Sequence, residues 1–153
     1  MINLENRIPP PLVALVCAAI GYGIDRMVPA ADFAFVFPAA VWLLPLALGL
    51  ALDIYSVALF FKHKTTIDPL HPDRSAALVI EGFYRFSRNP MYLGMALILS
   101  GLLLLIGNWL SLLALLLFLG YMNRFQIAPE ERFLTNKFGP SYTEYCRRVR
   151  RWI

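Results

Sequence analysis

The chain contains 153 residues, of which 59% are hydrophobic and 16% are charged, and its formal net charge is +4. Soluble domains average about 45–50% apolar and about 25% charged residues, so this composition excludes an ordinary soluble domain, a disordered chain and a disulfide-rich secreted module. The apolar residues fall in blocks long enough to cross a bilayer, which requires about 20 residues. We therefore predict an all-α polytopic membrane protein that forms a single domain over residues 1–153.

Three apolar blocks predict four transmembrane helices. The first covers residues 11–28, and the further spans that follow it argue against a cleaved signal peptide. The second covers residues 33–61 and is longer than one span needs, which predicts a tilted or projecting helix. The third covers residues 91–121 and contains Gly107-Asn108 near its middle. We interpret this block as a hairpin of two short helices, and a single very long helix is the alternative.

The basic residues indicate how these spans are oriented. If residues 1–10, 62–90 and 122–153 share one side of the membrane, that side holds 13 of the 14 Lys and Arg residues, and the other side holds only Arg26. Cytoplasmic loops are enriched in Lys and Arg. The sequence therefore predicts an integral protein of the inner (cell) membrane with both termini in the cytoplasm, and long loops such as residues 62–90 are usually functional.

The C-terminal tail carries an amphipathic pattern. Apolar and aromatic residues recur at steps of three and four, and four arginines fall mostly around the opposite face: Tyr142, Tyr145, Val149 and Trp152 against Arg147, Arg148, Arg150 and Arg151. This pattern predicts a helix on the membrane surface, with aromatic rings at headgroup depth and arginines toward anionic lipid. Beside four spans, it argues for a lipid partner and against nucleic acid.

Neither the cysteines nor the histidines indicate a metal site. Cys17 lies in an apolar block and Cys146 in the basic tail, so we predict two free thiols. His63 and His71 lie in the long loop without the spacing of metal ligands, and we predict no metal ion.

The densest group of chemically useful residues lies where the long loop enters the third block. Arg88, Asn89 and Pro90 are followed by Tyr92 and Gly94. Pro90 suits the first turn of a helix and Asn89 is a candidate N-cap. The free N–H groups of a helix start bind a carboxylate or phosphate, and Arg88 adds a cation with planar donors. A plain interfacial helix start, with Arg88 and Tyr92 as membrane anchors, is the structural alternative.

A second group is the acidic pair Glu130-Glu131 beyond the fourth predicted span. It fits an acidic helix N-terminus stabilised by the helix dipole, or salt bridges to Arg124 or Arg85. As a functional site, it offers carboxylates for a ribose hydroxyl or a cationic group of a ligand. Because the short hairpin returns the tail to the membrane face of Arg88, we expect both groups to face one cavity.

Asp53 is the only acidic residue deep within a predicted span. Carboxylates inside a membrane are functional candidates by default. Asp53 therefore supports an alternative function, a small four-helix transporter in which its carboxylate couples ion movement to transport.

Taken together, these motifs resemble the isoprenylcysteine carboxyl methyltransferase / phospholipid methyltransferase family. The resemblance covers about residues 62–152 and rests on the order and spacing of short motifs that include Leu78-Val79, Gly82-x-Tyr84-Arg85, Arg88-Asn89-Pro90-x-Tyr92-x-Gly94 and Glu130-Glu131. It implies an integral membrane methyltransferase that uses S-adenosylmethionine without a Rossmann fold and releases S-adenosylhomocysteine. The expected acceptor is a lipid or another lipophilic molecule at the cytoplasmic membrane face.

The resemblance also implies roles for individual residues. Arg88 and Glu131 are expected in the catalytic centre and Arg148 near the substrate, while the expected cofactor-binding residues are Leu78, Val79, Gly82, Tyr84, Arg88, Asn89, Pro90, Tyr92, Gly94, Glu130 and Glu131. Prenylcysteine enzymes usually have His where this chain has Asn89, so oxygen, nitrogen and sulfur acceptors all remain open. An NADPH-dependent membrane reductase of related architecture is the second alternative.

Overall fold

A computed structural model of the chain describes residues 5–33, 37–62 and 78–153. Within these ranges the chain is helical, and the only β-type pairing is two isolated bridges. The described residues form six α-helices: α1 (Pro10–Met27), α2 (Ala39–Lys62), α3 (Pro90–Ile106), α4 (Leu113–Tyr121), α5 (Ala128–Phe138) and α6 (Pro140–Arg148). The predicted all-α class is therefore confirmed for the described part of the chain.

Helices α1, α3 and α4 share one apolar core. Its most deeply buried members include Cys17 from α1, Leu99 and Leu103 from α3, and Phe118 from α4. In a membrane the lipid chains are as apolar as these side chains, so the core is held mainly by close van der Waals packing. Cys17 and Cys146 are both free, as predicted.

Helices α2 and α3 pack backbone to backbone through glycines. A Cβ atom added at Gly49 would lie 2.5 Å from the carbonyl oxygen of Gly94 and 2.9 Å from the backbone nitrogen of Ile98. A Cβ atom at Gly101 would lie 2.7 Å from the carbonyl oxygen of Trp42. Small residues of this kind allow membrane helices to approach closely, and here they bring α2 against the start of α3.

We expect Gly49→Ala to destabilise the protein by about 1–3 kcal/mol, because the added methyl group meets backbone atoms that cannot move independently. Gly120→Ala is the matched control, since nothing lies within 4 Å of a Cβ atom at Gly120. It is expected to stabilise the helix by about 0.5–1 kcal/mol. Thermal unfolding of the detergent-solubilised variants measures both effects. Equal melting temperatures for the two variants would contradict this account of the α2–α3 contact.

The third apolar block is broken where the sequence predicts. Helix α3 ends at Gly107, whose φ of 84° is in the left-handed region that glycine favours. The fully buried Asn108 side chain donates hydrogen bonds to the carbonyl oxygen of Val28 (2.9 Å) and to Asp32 Oδ1 (3.1 Å), and it accepts one from the backbone N–H of Leu110 (3.0 Å). The turn is thereby fastened to the segment that follows α1.

The N-terminal segment is fastened at the other end of the bundle. The backbone N–H of Asn6 donates to the carbonyl oxygen of Phe125 (2.9 Å), and Gln126 Nε2 donates to the carbonyl oxygen of Ile8 (2.8 Å). The start of the chain and the segment that follows α4 therefore lie at one end, opposite the turn at Gly107. This grouping agrees with the charge pattern of the sequence. The assignment of that end to the cytoplasm stays a prediction.

Two helices among the described residues are long and apolar enough to cross a membrane, Ala39–Lys62 and Leu110–Phe138. They correspond to the second and fourth predicted spans. Helix α3 is apolar but has 17 residues, and α1 has 18 residues and carries Asp25 and Arg26 near its C-terminal end. The topology of four spans therefore stays a prediction.

The sequence predicts that the fourth helix ends near residue 122, but in the structure the helix continues. It runs from Leu110 to Phe138 and passes through a π-helical segment at Met122–Ile127, a feature that is frequent at functional sites. Glu130 and Glu131 consequently lie inside a continuous helix. Their interpretation as an acidic pair at a free helix N-terminus is wrong.

The predicted surface helix of the tail is also partly wrong. Helix α6 ends at Arg148 and Val149 is extended (φ −121°, ψ 130°), so Trp152 is not on the helix. Tyr142 and Tyr145 do share one face, but they are only 3% and 5% exposed. They pack inside the protein against Leu78, Leu134 and Phe138 rather than at headgroup depth.

Candidate functional site

An ion pair joins the two sequence motifs. Arg88, just before α3, places Nη2 3.1 Å from Oε1 of Glu131 on α5, and their side chains are 14% and 19% exposed. The two motifs are therefore in contact, and the cavity that both were expected to face stays a prediction. The partner of Glu131 is neither Arg124 nor Arg85. Because water is largely excluded from the pair, its electrostatic attraction is screened less than that of a surface pair.

Arg151 from the C-terminal tail is a second cation on the same carboxylate. Its Nε and Nη2 atoms donate to Oε1 and Oε2 of Glu131, the first at 3.1 Å, in the bidentate geometry that makes such pairs strong. These hydrogen bonds raise the pKa of Arg151. Glu131 is thus held between Arg88 and Arg151, and the expected lipid contact of Arg151 is replaced by a contact within the protein.

The extended tail lies along the loop that leads into α3. Ser87 and Arg150 pair as a parallel bridge, and the backbone N–H of Arg88 donates to the carbonyl oxygen of Arg150 at 3.0 Å. The Asn89 side chain donates from Nδ2 to the carbonyl oxygen of Arg151 at 2.9 Å. Asn89 holds the N-cap position but makes no side-chain capping bond. Its predicted capping role is wrong, because its amide fastens the tail instead. Pro90 occupies the first turn of the helix, as predicted.

The other two nitrogen atoms of the Arg88 guanidinium differ in their contacts. Nη1 contacts Sγ of Cys146, and Nε is buried without a hydrogen-bond partner among the described residues. The buried Tyr145 hydroxyl donates to the carbonyl oxygen of Tyr84 at 2.7 Å, which fastens α6 to the loop before Arg88. Burial raises the pKa of Tyr145, so the phenol stays a hydrogen-bond donor at neutral pH.

A second contact between the motifs lies beside the first. The Tyr92 hydroxyl donates to Oε2 of Glu130 at 3.1 Å, and Tyr92 is 8% exposed. Tyr84 is close by: burial raises its pKa most, and the charges of Glu130, Tyr145 and Asp53 raise it further. Tyr84 therefore lies within the electrostatic reach of carboxylates from both α2 and α5.

The predicted loop residues support these contacts by packing. Leu78 packs against the buried side of α6, and Val79 forms a small cluster with Leu59 and Tyr84. Gly82 has a φ of 58°, and a Cβ atom there would lie 2.1 Å from the Tyr55 hydroxyl. Only glycine fits this position, both for its backbone conformation and for the space that Tyr55 leaves.

Arg148 lies away from these contacts. Its side chain is 67% exposed, and its Nε is 3.4 Å from Oε1 of Glu144 on the same helix. A role at the substrate stays a prediction.

His63 and His71 lie outside the described residues. Among the residues that the structure does describe, no group of three His, Cys, Asp or Glu side chains is arranged to hold a metal ion.

Arg151 and Cys146 are the residues that sequence reasoning missed. Besides Arg132, the tail contains five arginines, and Arg151 is the one that turns inward. No spacing rule in the sequence distinguishes Arg151 from the other four.

Comparisons with known proteins identify a matching family and several similar proteins. A family described as phospholipid methyltransferase matches residues 38–141. An uncharacterized protein of Haemophilus influenzae is 46% identical over 63 residues, which is 41% of this chain and all of that protein. The protein-S-isoprenylcysteine O-methyltransferase of Schizosaccharomyces pombe is 36% identical over 72 residues, 47% of this chain and 30% of that enzyme.

A probable protein-S-isoprenylcysteine O-methyltransferase of Oryza sativa is 29% identical over 113 residues, which cover 74% of this chain. The chain spans 59% of the length of the rice protein and 30% of the yeast enzyme. No solved structure matches the chain significantly.

Proposed function

Because the chain belongs to the phospholipid methyltransferase family, we propose that it transfers a methyl group from S-adenosylmethionine to a lipophilic acceptor at the cytoplasmic membrane face. The observation that carries this proposal is the Arg88–Glu131 ion pair. It brings together, at one end of an apolar helical bundle, the two motifs that the family resemblance assigns to the cofactor.

The membrane arrangement is part of the proposal. The protein spans the inner membrane four times, with both termini and the site in the cytoplasm. Two helices of spanning length support this topology, as does the exposure of large apolar side chains along α1, α2 and α4, among them Leu15, Leu44, Ile54 and Leu116. Surfaces of this kind fit lipid better than water.

The residues at the site fit the chemical groups of S-adenosylmethionine. Arg88 retains a buried Nε without a partner, which suits it to the cofactor carboxylate. The Glu131 carboxylate already binds two guanidinium groups, those of Arg88 and Arg151. The positively charged ammonium group of the cofactor can take the place of one of these cations. Glu130, held by Tyr92, offers an acceptor for ribose hydroxyls. The Glu131 carboxylate adjoins a shallow open depression, which is also lined by Ala128, Arg132, Thr135 and Asn136.

The bound cofactor supplies a methyl group on a positively charged sulfur, which is transferred by in-line displacement. The residues of the chain bind and align the reactants and exclude water, and alignment of this kind contributes several kcal/mol, about 7–11 at most. The tail residues Arg150 and Arg151 cover the loop at Ser87–Asn89 and limit the access of water to the Arg88–Glu131 pair, whose side chains are 14% and 19% exposed. We assign Leu78, Val79, Gly82, Tyr84, Asn89, Pro90 and Gly94 to the cofactor pocket, and we assign the exposed Arg148 to the substrate side.

Transfer of a labelled methyl group tests this function. Purified protein, membrane lipid extract and small lipophilic thiols are incubated with S-adenosylmethionine labelled in its methyl group. We expect label in an organic-extractable product that requires the protein, and mass spectrometry identifies the methylated atom. Absence of labelled product from both acceptor pools, together with oxidation of NADPH in a parallel incubation that contains NADPH in place of S-adenosylmethionine, would favour the reductase alternative.

A further inference from the structure

Three aromatic rings beside the C-terminal part of α2 form one exposed patch. The rings of Phe83 and Tyr55 pack edge to face with their centroids 5.8 Å apart, and the centroid of Phe86 lies 6.3 Å from that of Phe83. Tyr55, Phe83 and Phe86 are 43%, 48% and 71% exposed. We call these three rings the aromatic patch. Contiguous exposed apolar surface marks a contact with another protein or with a membrane.

The local backbone turns both phenylalanines outward. Gly82–Arg85 is a 3₁₀-helix, and the backbone N–H of Phe86 donates its last hydrogen bond to the carbonyl oxygen of Phe83. Side chains three residues apart lie on the same face of such a helix, so Phe83 and Phe86 share one face. Tyr84 lies on another face and is 7% exposed, and its carbonyl oxygen is bound to α6. The loop is therefore fastened to the protein on one face and bare on the other.

The aromatic patch continues an exposed stripe along α2. Residues at steps of three and four lie on one face of a helix. The members of this stripe are all exposed, and all except the last are apolar or aromatic: Leu44, Leu48, Ala51, Tyr55, Ala58 and Lys62. Helix α2 is long and apolar enough to span a membrane. The stripe has the character of its lipid-facing side, and Tyr55 joins the aromatic patch to that side.

The loop runs back along α2 from the end of the helix. Glu81 lies 3.9 Å from Lys62, the last residue of α2, and Phe83 two residues later packs on Tyr55. Tyr55 precedes Lys62 by seven residues, or about 10 Å at 1.5 Å per residue. Interfacial segments lie about 5–10 Å deep at the boundary between headgroups and acyl chains. The position of the aromatic patch along α2 corresponds to this depth.

Arg85 limits how deep the patch can lie. It stands between Phe83 and Phe86 in the sequence, and its side chain is exposed. A guanidinium is costly in the hydrocarbon layer, but near the interface its stem covers apolar surface while its charge reaches the phosphates. A segment with two exposed rings and one exposed arginine therefore suits the lipid interface better than either water or the centre of the bilayer.

We propose that residues 82–86 are inserted in the membrane interface, with Phe83 and Phe86 among the upper acyl chains of phospholipid and Arg85 at the phosphates. The proposal rests on the membrane arrangement in the proposed function, because it takes α2 as a span, but it does not depend on methyl transfer. Arg88 is two residues after Phe86. The inserted loop therefore holds the Arg88–Glu131 pair at the surface of the bilayer.

Photochemical crosslinking tests this proposal on the full chain. Phe86 is replaced by the photoreactive residue 4-benzoylphenylalanine, the protein is irradiated in phosphatidylcholine nanodiscs, and mass spectrometry identifies the adduct. We expect an adduct whose added mass is one phosphatidylcholine, with the new bond on an acyl chain. Phe86 is 71% exposed, so the melting temperature should stay that of the wild type. The same replacement at Phe83 provides a second position and is expected to give the same adduct.

Two positions on the helix Leu110–Phe138 serve as controls. Leu116, which is 63% exposed within the apolar part of this helix, is expected to crosslink to an acyl chain. Asn136 is also exposed but lies 20 residues further along the helix, or about 30 Å. That distance equals the thickness of the hydrocarbon layer, about 30 Å, so Asn136 is expected to give no lipid adduct.

A lipid adduct at Leu116 without one at Phe86 and Phe83 would overturn the proposal while leaving the membrane arrangement intact. A crosslink from Phe86 to a second copy of the chain would overturn it in favour of a protein interface. Equal lipid labelling at Asn136 and Phe86 would also overturn it, because the adduct would then not be specific to the patch. Absence of lipid adducts at all positions, Leu116 included, would overturn both the proposal and the membrane arrangement.

Discussion

Replacement of Glu131 with Gln is expected to lower the affinity for S-adenosylmethionine by about 30-fold or more, which corresponds to about 2 kcal/mol. The reason is that Glu131 is the shared acceptor for Arg88 and Arg151. A neutral amide leaves two neighbouring guanidinium groups without their counter-charge, and it offers the cofactor ammonium no negative charge. Calorimetric titration of the purified variant measures the affinity, and thermal unfolding measures the accompanying loss of stability.

Glu144→Gln is the matched control for this change. Glu144 carries two arginines as well, Arg147 at 3.8 Å and Arg148 at 3.4 Å, but all three side chains are more than half exposed. Exposed ion pairs contribute about 0–1 kcal/mol, so cofactor affinity and melting temperature should both stay near those of the wild type. If Glu144→Gln weakened cofactor binding as much as Glu131→Gln, the site would not be where we place it.

Replacement of Arg88 with Ala is expected to reduce kcat/KM about 100-fold, or about 2.7 kcal/mol of transition-state stabilisation. The Arg88 side chain contacts both Glu131 and Cys146, and its backbone N–H holds the tail at Arg150. Its loss removes the proposed partner of the cofactor carboxylate and leaves Glu131 with Arg151 alone. Steady-state methyl transfer to the identified acceptor is the measurement.

Arg88→Lys separates charge from geometry. Lysine keeps the positive charge but lacks the planar set of donors, so an intermediate loss of about 10-fold is expected. Arg147→Ala, which removes an arginine that is 76% exposed, should retain activity within about 2-fold of the wild type. Full activity in Arg88→Ala would exclude Arg88 from the catalytic centre.

The local signals in the sequence predicted much of the helical fold because they are strong and short-range. The break at Gly107 follows from a glycine that takes a positive φ, and the start of α3 at Pro90 follows from the absence of its N–H. The meeting of Arg88 with Glu131 followed from the hairpin, which returns the chain to the end where it began. Each of these three predictions required only the residue types, their spacing in the sequence and the length of a helix.

The errors concern packing between distant segments. The continuation of the fourth helix to Phe138 could not be predicted, because the π-helical segment at Met122–Ile127 has no compositional signature. Arg151 belongs to a basic run that is typical of lipid contact, yet it turns inward since the tail pairs with the loop at Ser87. Asparagine is a common N-cap residue, but the side-chain amide of Asn89 donates its hydrogen bond to the carbonyl oxygen of Arg151, 62 residues away, and does not cap the helix.

Equilibrium binding of S-adenosylmethionine to the purified protein tests the central claim most directly. The account predicts that the wild type binds the cofactor and that Arg88→Ala and Glu131→Ala both lose that binding, while Arg147→Ala keeps it. No binding to the wild type, or binding that neither Arg88→Ala nor Glu131→Ala changes, would contradict it.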